Sequence, residues 1–369
     1  MVKSNFFKQC LEFVSERIPV EKISYEAMVQ KKSVPHHKMS WAYYLGGLTL
    51  LFLSIQFITG ILLLFYYQAT VSDAHSSVEH ITQYVGGGDL IRNLHAWSSS
   101  LMILCLILHM MTTFAMKAFQ RPRELTWITG VVLLLLTFAL GFSGYLLPWH
   151  QIGVNATKVG LQSIELIGAY LPGELALLPT KIKEIIQGDS MVEQATLSRF
   201  FALHVVVCPI LLLGILGFHL FSIQLHGMSE GVDHPTGKSE KFFPTFILKD
   251  LRVWSVVFCA AFITALCIPF DSFSPFPLLA PYDALGSTPP GIKPEWYFFF
   301  IYYPLELLPF WLIALLQNLL LAILFLAPWI FKNTSRKALF LITLVAAIYF
   351  FGITIFGQDL YNLIMGVHS

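Results

Sequence analysis

Seven stretches of this chain are each long and apolar enough to cross a lipid bilayer, and that leaves few folds open. A spanning helix needs about 20 predominantly apolar residues. Runs of that kind lie near 42–66, 94–116, 125–147, 203–225, 251–270, 306–330 and 338–357. Each is several times the length of a typical strand and none alternates with period two, which excludes a transmembrane barrel. In hydrocarbon every backbone N–H and C=O must find a partner inside the chain, so the runs are read as helices. The fold class is an all-α polytopic membrane protein. Composition agrees: 56% of the residues are hydrophobic and only 12% are charged, about half the charged share of a soluble domain. A soluble enzyme is excluded, and a net charge of +1 leaves no basic footprint for nucleic acid.

Lys and Arg in short loops set the orientation. The arm before the first span carries seven: Lys3, Lys8, Arg17, Lys22, Lys31, Lys32 and Lys38. The loops after the second, fourth and sixth spans are also basic, with Lys117, Arg121 and Arg123, then Lys238, Lys241, Lys249 and Arg252, then Lys332, Arg336 and Lys337. The loops after the first and fifth spans carry one each, Arg92 and Lys293. The N-terminus is therefore expected on the cytoplasmic, negative (n) side and the C-terminus on the positive (p) side. Two p-side loops are too long to be simple connectors. One runs from about Pro148 to Ala202, with helical stretches near 156–170 and 174–187; the other spans about Asp271 to Leu305 and is rich in Pro. The polar segment 226–250 is the natural seam. The organisation expected is an arm with an amphipathic helix (1–40), a four-helix unit (41–230) and a three-helix unit (231–369).

Four of the twelve histidines fall inside spans, where ionisable groups are costly and usually functional. His95 and His109 lie 14 apart in the second span; His204 and His219 lie 15 apart in the fourth. At 1.5 Å and 100° per residue, each pair is roughly 21–22 Å apart and points to about one face. The two spans run in the same direction, so His95 is level with His204 near the p side and His109 with His219 near the n side. Two facing imidazoles at each of two levels suit two bis-histidine haems, and two axial nitrogens leave no open site for oxygen. Glycine supports this reading. Gly46 and Gly60 in the first span, and Gly130 and Gly144 in the third, are again 14 apart, and a flat macrocycle needs close backbone approach. Arg92 and Arg199 lie near the p-side level and are candidate partners of haem propionates. Among the five cysteines there is no CxxCH attachment motif.

With these residues the chain resembles the cytochrome b family of the cytochrome bc1 and b6f complexes. The likeness runs from about Trp41 to Gly357 and includes RNLHAW (92–97), RELTW (123–127), GYLLPWHQIG (144–153), TLSRFFALH (196–204) and TPPGIKPEWYF (288–298). The first four spans look like cytochrome b6 and the last three like its subunit IV, fused in one chain. The resemblance implies a subunit of a quinol:cytochrome c (or plastocyanin-like acceptor) oxidoreductase. A quinol would be oxidised on the p side, with one electron going to a Rieske iron–sulfur partner. The other would pass through haem bL (His95, His204) and haem bH (His109, His219) to a quinone on the n side, with net proton translocation. It also implies a cytochrome c or c1-like partner, a homodimer, lipid contact and a bacterial-type energy-transducing inner membrane. Glu295 of the PEWY tetrapeptide would accept a quinol proton, since a carboxyl in an apolar aromatic pocket has a raised pKa. Tyr145 and Tyr297 are its expected neighbours, with Pro289, Pro290 and Pro294 stiffening the loop. Near haem bH, Gln224 and His226 are candidates for the quinone-reducing pocket, with Asp250 and Lys249 behind them.

The sequence departs from the family at several points. Tyr44 stands where chloroplast-type b6 has the Cys that attaches an extra n-side haem, so covalent attachment of a third haem there is excluded. Thr112 replaces an Arg expected near a bH propionate, with Lys117 or Lys38 as possible substitutes. His150 follows LPW where Asp or Gly is common, Asn155 replaces a usual Trp, and Glu306 replaces an Arg. These changes flank the p-side pocket and are compatible with a different quinone or a non-Rieske partner. A dihaem anchor of another quinone-linked complex would explain the histidines but not Glu295, and a transporter would need broken helices with central polar groups.

Overall fold

The computed structural model describes residues 8, 12–13, 15–18, 32–229, 238–273, 280–286 and 292–366. Seven helices in it are long and apolar enough to span a membrane: Ser40–Leu64, Gly88–Ala115, Glu124–Leu146, Gln194–His226, Phe242–Cys267, Phe310–Ile330 and Arg336–Met365. In chain order the helices are α1 (Tyr43–Leu64), α2 (Ala74–Gln83), α3 (Gly88–Ala115), α4 (Glu124–Leu146), α5 (Gln151–Leu166), α6 (Leu177–Gln187), α7 (Gln194–His226), α8 (Ile247–Cys267), α9 (Phe299–Leu307), α10 (Phe310–Ile330) and α11 (Arg336–Met365). Short strands β1 (Ser33–Pro35) and β2 (Ser239–Lys241) pair antiparallel and tie the arm to the seam.

The seven expected spans are present, with shifted ends. The fourth begins at Gln194 rather than near 203, because the polar run QATLSR is the first turns of α7, entered through a capping box between Glu193 and Thr196. The sixth begins at Phe310 rather than 306. Leu308 is extended (ψ 154°) before Pro309, as the pyrrolidine ring demands, so the preceding residues form a separate helix, α9. The long loop after α4 is helical as expected, over Gln151–Leu166 and Leu177–Gln187. Of the expected amphipathic helix in the arm, residues 8, 12–13 and 15–17 are helical and the rest lie outside the described residues.

Side-chain packing divides the interior. α1, α3, α4, α7 and α8 share one core through Phe52, Leu53, Met102, Leu133, Leu212 and Ala261. A second core joins α3 and α4 to Tyr297 and to Phe350 of α11. A third packs the loop after α4 onto α7, through Leu146, Trp149, Val154, Leu197 and Phe200. Many apolar side chains on α8, α10 and α11 stay exposed, Val256, Leu315 and Ile348 among them, as a lipid-facing surface requires. At the other end of the bundle Arg17 and Glu124 form a buried ion pair at 2.5 Å, with the Arg17 guanidinium over the Phe13 ring at 3.5 Å.

Gly357 of α11 receives the Tyr303 ring of α9, and a Cβ there would overlap ring carbons. Gly357→Val is expected to lose about 1–3 kcal/mol through overpacking, read as a lower midpoint of thermal unfolding in detergent. An unchanged midpoint would show that α9 and α11 can part freely.

Candidate functional site

The four span histidines face one another between the helices that carry the glycines. His95 of α3 and His204 of α7 have ring centroids 6.4 Å apart at an interplanar angle of 71°. That separation has room for one metal ion with a nitrogen about 2 Å away on either side. The glycines lie against the rings. A Cβ on Gly60 would sit 3.5 Å from His95 Cε1, and one on Gly144 2.6 Å from His204 Cε1. At the other level a Cβ on Gly46 would sit 3.1 Å from His109, and one on Gly130 3.4 Å from His219. At Gly144 and Gly46 an added Cβ would press on the ring, whereas at Gly60 and Gly130 it would only touch it.

Hydrogen bonds fix which ring nitrogen is free. The Thr59 hydroxyl donates to the Ile55 carbonyl at 2.7 Å, so its oxygen accepts from His95 Nδ1–H at 2.8 Å. Thr129 repeats this, donating to Leu125 and accepting from His219 Nδ1–H at 2.9 Å. His204 Nδ1–H donates to the Leu140 carbonyl at 3.0 Å, with Ser143 Oγ 3.4 Å away. In all three the proton is on Nδ1 and the lone pair is on Nε2, the tautomer an iron ligand needs. The orienting hydroxyls precede the glycines directly: Thr59–Gly60, Thr129–Gly130 and Ser143–Gly144. That dipeptide is a sequence signal that the histidine spacing alone did not expose. At the fourth position the pattern fails, because Leu45 precedes Gly46, and His109 Nδ1 is buried without a hydrogen-bond partner. Donor set, tautomers and glycine cradles together fit haem at both levels.

Beside His95 and His204 opens a cavity of about 330 Å³. Its wall includes Glu295, Tyr145, Tyr297, Arg92, Asp271 and His150. Glu295 sits at the N-terminal end of a tight turn over Trp296–Phe298, where Phe298 N–H returns to its carbonyl at 2.9 Å. Tyr297 is buried and stacks on Phe138 at 6.1 Å, and its hydroxyl fills the place a Cβ on Gly141 would take. Desolvation raises the Glu295 pKa to about 7. Pro294 is part of the described loop, whereas Pro289 and Pro290 lie outside the described residues.

The two arginines take different places. Arg92 lines the cavity and pairs with Asp271 at 3.1 Å. Arg199 does not reach it: the guanidinium is held by the carbonyls of Glu184 and Ile185 at the end of α6, where a helix C-terminus attracts cations. The structure thus gives no support to Arg199 as a propionate partner.

At the His109 end, Gln224 Oε1 accepts from Lys32 Nζ at 2.5 Å. Lys32 is buried, and desolvation lowers its pKa to about 8; no spacing or motif in the arm points to this position. His226 is held by the Arg17 carbonyl through Nε2 at 2.9 Å. The Asp250 carboxylate lies against Gly47 of α1, where a Cβ would be 2.7 Å away. Lys117 donates to the Thr334 carbonyl at 2.8 Å. Tyr44 stacks on Phe246 at 5.3 Å and 10°.

Gly144→Val is expected to displace His204 and halve the b-type haem per chain, measured as pyridine haemochrome against protein. A full complement of haem in that variant would mean that the α4 backbone is not part of the cradle.

Comparison with known proteins agrees with this geometry. Residues 29–227 match the family model described as Cytochrome b/b6/petB, and residues 283–363 match Cytochrome b(C-terminal)/b6/petD. The chain is 41% identical over 274 residues to a cytochrome bc complex cytochrome b subunit of Chlorobaculum thiosulfatiphilum, a match covering 73% of this chain and 60% of that relative's length. It is 39% identical over 218 residues to cytochrome b6 of Synechococcus elongatus, covering 59% of this chain and 96% of the relative. A chain of a hyperthermophilic respiratory complex III superposes with a TM-score of 0.79 at 28% identity, covering 94% of this chain and 91% of that one. The histidine levels, their glycine cradles and these matches make the chain a member of the cytochrome b/b6 family, with a b6-like and a petD-like part in one polypeptide.

Proposed function

We propose that this chain is the membrane cytochrome b subunit of a quinol:cytochrome c (or plastocyanin-like acceptor) oxidoreductase, in which quinol is oxidised beside Glu295 and quinone is reduced at the His109 end. The observation that carries this is one cavity lined both by His95 and His204 and by Glu295. His95 and His204 would hold one haem, His109 and His219 the other. Haem so held supplies one-electron transfer with no open coordination site.

The chain's own residues handle the proton. Glu295 lies in an apolar wall with its pKa near neutrality, where a carboxylate takes a proton at little driving-force cost and can release it again. Tyr145 and Tyr297 bound the same cavity. Arg92, paired with Asp271, adds polar groups to its wall. At the other end Lys32, Gln224, His226 and Asp250 offer donors for a quinone that must take up protons from the n side. A Rieske iron–sulfur protein and a cytochrome c or c1-like subunit would take the electrons leaving on the p side, and the chain would work as a homodimer in lipid. The N-terminus would face the cytoplasm and the C-terminus the positive side. Residues 41–230 and 231–369 would be the haem-binding and PEWY-bearing units.

Glu295→Gln cannot accept a proton, and quinol oxidation is expected to fall at least 10²-fold, the lower end of what a positioned base supplies. Unchanged turnover in that variant would sink the p-side assignment. In the unmodified complex, the quinol oxidation rate is expected to rise with pH through about 7. Below that value Glu295 is already protonated and cannot accept a proton; above it the carboxylate is free. A rate flat from pH 5.5 to 8.5 would place the acceptor elsewhere. His109→Ala is expected to lose one haem and keep the other, read from low-temperature α-band spectra; loss of neither would refute the ligand assignment.

A further inference from the structure

Among the polar side chains that line the cavity, His150 has no part in the roles above. His150 ends the turn after α4 and caps α5, and its Nδ1 accepts the Gly153 backbone N–H at 2.9 Å. Only a lone pair can accept that hydrogen, so the proton of the neutral ring is on Nε2. This is the opposite tautomer to His95, His204 and His219, whose Nδ1 atoms donate. His150 is therefore built as a donor, not as a metal ligand.

Its position is fixed from several sides. The backbone bridges to Pro281, and Gln151 N–H bonds the Ala280 carbonyl at 3.2 Å. The ring is 3% exposed and meets the Tyr145 ring edge-on, with centroids 5.4 Å apart. It lines the same cavity as Glu295, Tyr297 and His95. The charged and titratable groups around it are Arg92, His75 and Tyr145, with Asp271 paired to Arg92. Desolvation first, then the positive charge of Arg92 and the neighbouring His75, hold its pKa down at about 3. The ring stays neutral at any working pH, and Nε2–H has no hydrogen-bond partner among the described residues.

We propose that His150 is a substrate-binding residue of this cavity, its Nε2–H donating a hydrogen bond to a ring oxygen of the quinol and of the quinone it becomes. A hydroxyl oxygen and a carbonyl oxygen both accept, so a permanent donor grips the ring in either redox state. Glu295 accepts a proton, whereas His150 only donates. The two side chains thus do different work in one cavity, and His150 sets affinity rather than the rate of proton removal. This rests on the reading of the cavity as a quinol site.

The test uses the intact complex in membranes, assayed with a short-chain quinol, and two variants with opposite expectations. Asn is a good helix cap, but its amide ends short of the position of Nε2. Gln reaches that position and donates, but caps poorly. If His150 binds substrate, His150→Asn raises KM about tenfold with haem content unchanged, and His150→Gln brings KM back to within about threefold of the parent. If the ring serves only as the α5 cap, the order reverses: Asn behaves as the parent and Gln loses haem or turnover. That reversal, or a parent-like KM in both variants, overturns the proposal. Absence of quinol oxidation in the parent complex would instead overturn the reading of the cavity.

Discussion

Everything in this protein depends on imidazole rings held at fixed heights inside an apolar bundle. Burying a ring N–H in hydrocarbon costs free energy unless it finds an acceptor. The helices supply it from within, through Thr59, Thr129 and the Leu140 carbonyl. That bond also sets the tautomer, and so leaves a lone pair on the nitrogen aimed across the bundle. The same helices place glycine against each ring, and at Gly144 and Gly46 a methyl group would crowd it. Orientation and clearance thus come from the same helix, from adjacent residues at Thr59–Gly60 and Thr129–Gly130 and from residues one turn apart at Leu140 and Gly144.

Tautomer also separates the histidines by task. Those bonded through Nδ1–H keep a lone pair on Nε2; His150, which accepts at Nδ1 from the Gly153 N–H, carries its proton on Nε2. His95, His204 and His150 line one cavity with Glu295. Its apolar walls hold the Glu295 pKa near 7 while keeping His150 neutral. Desolvation disfavours charge on both, so the carboxyl titrates near neutrality and the imidazole stays uncharged.

Much of the fold was legible because membrane helices obey a simple rule. Backbone polarity forces apolar runs into helices, and the spans at 125–147 and 338–357 were visible as such. Errors fell where polar residues belong to a helix. QATLSR reads as loop, yet Thr196 and Glu193 are its cap. The histidine levels were legible because helical periodicity converts a spacing into a height and a face. The place of Arg199 was not legible for the converse reason: nearness in sequence to His204 does not tell which way a long side chain turns, and here the carbonyls at the end of α6 hold it.

By itself the sequence determined the helical membrane class, the two histidine levels and the glycines beside them. Each of these is a periodic property of a single helix, fixed by rise and turn. Tertiary structure decided what no period encodes. It brought Glu295 and His150, 145 residues apart, to the wall of one cavity. It carried Lys32 from the arm to the end of α7, against Gln224. It left His109 alone without an acceptor, because Leu45 stands where its counterparts have a hydroxyl. Those outcomes depend on which side chains from distant segments exclude water together, and only the packed chain settles that.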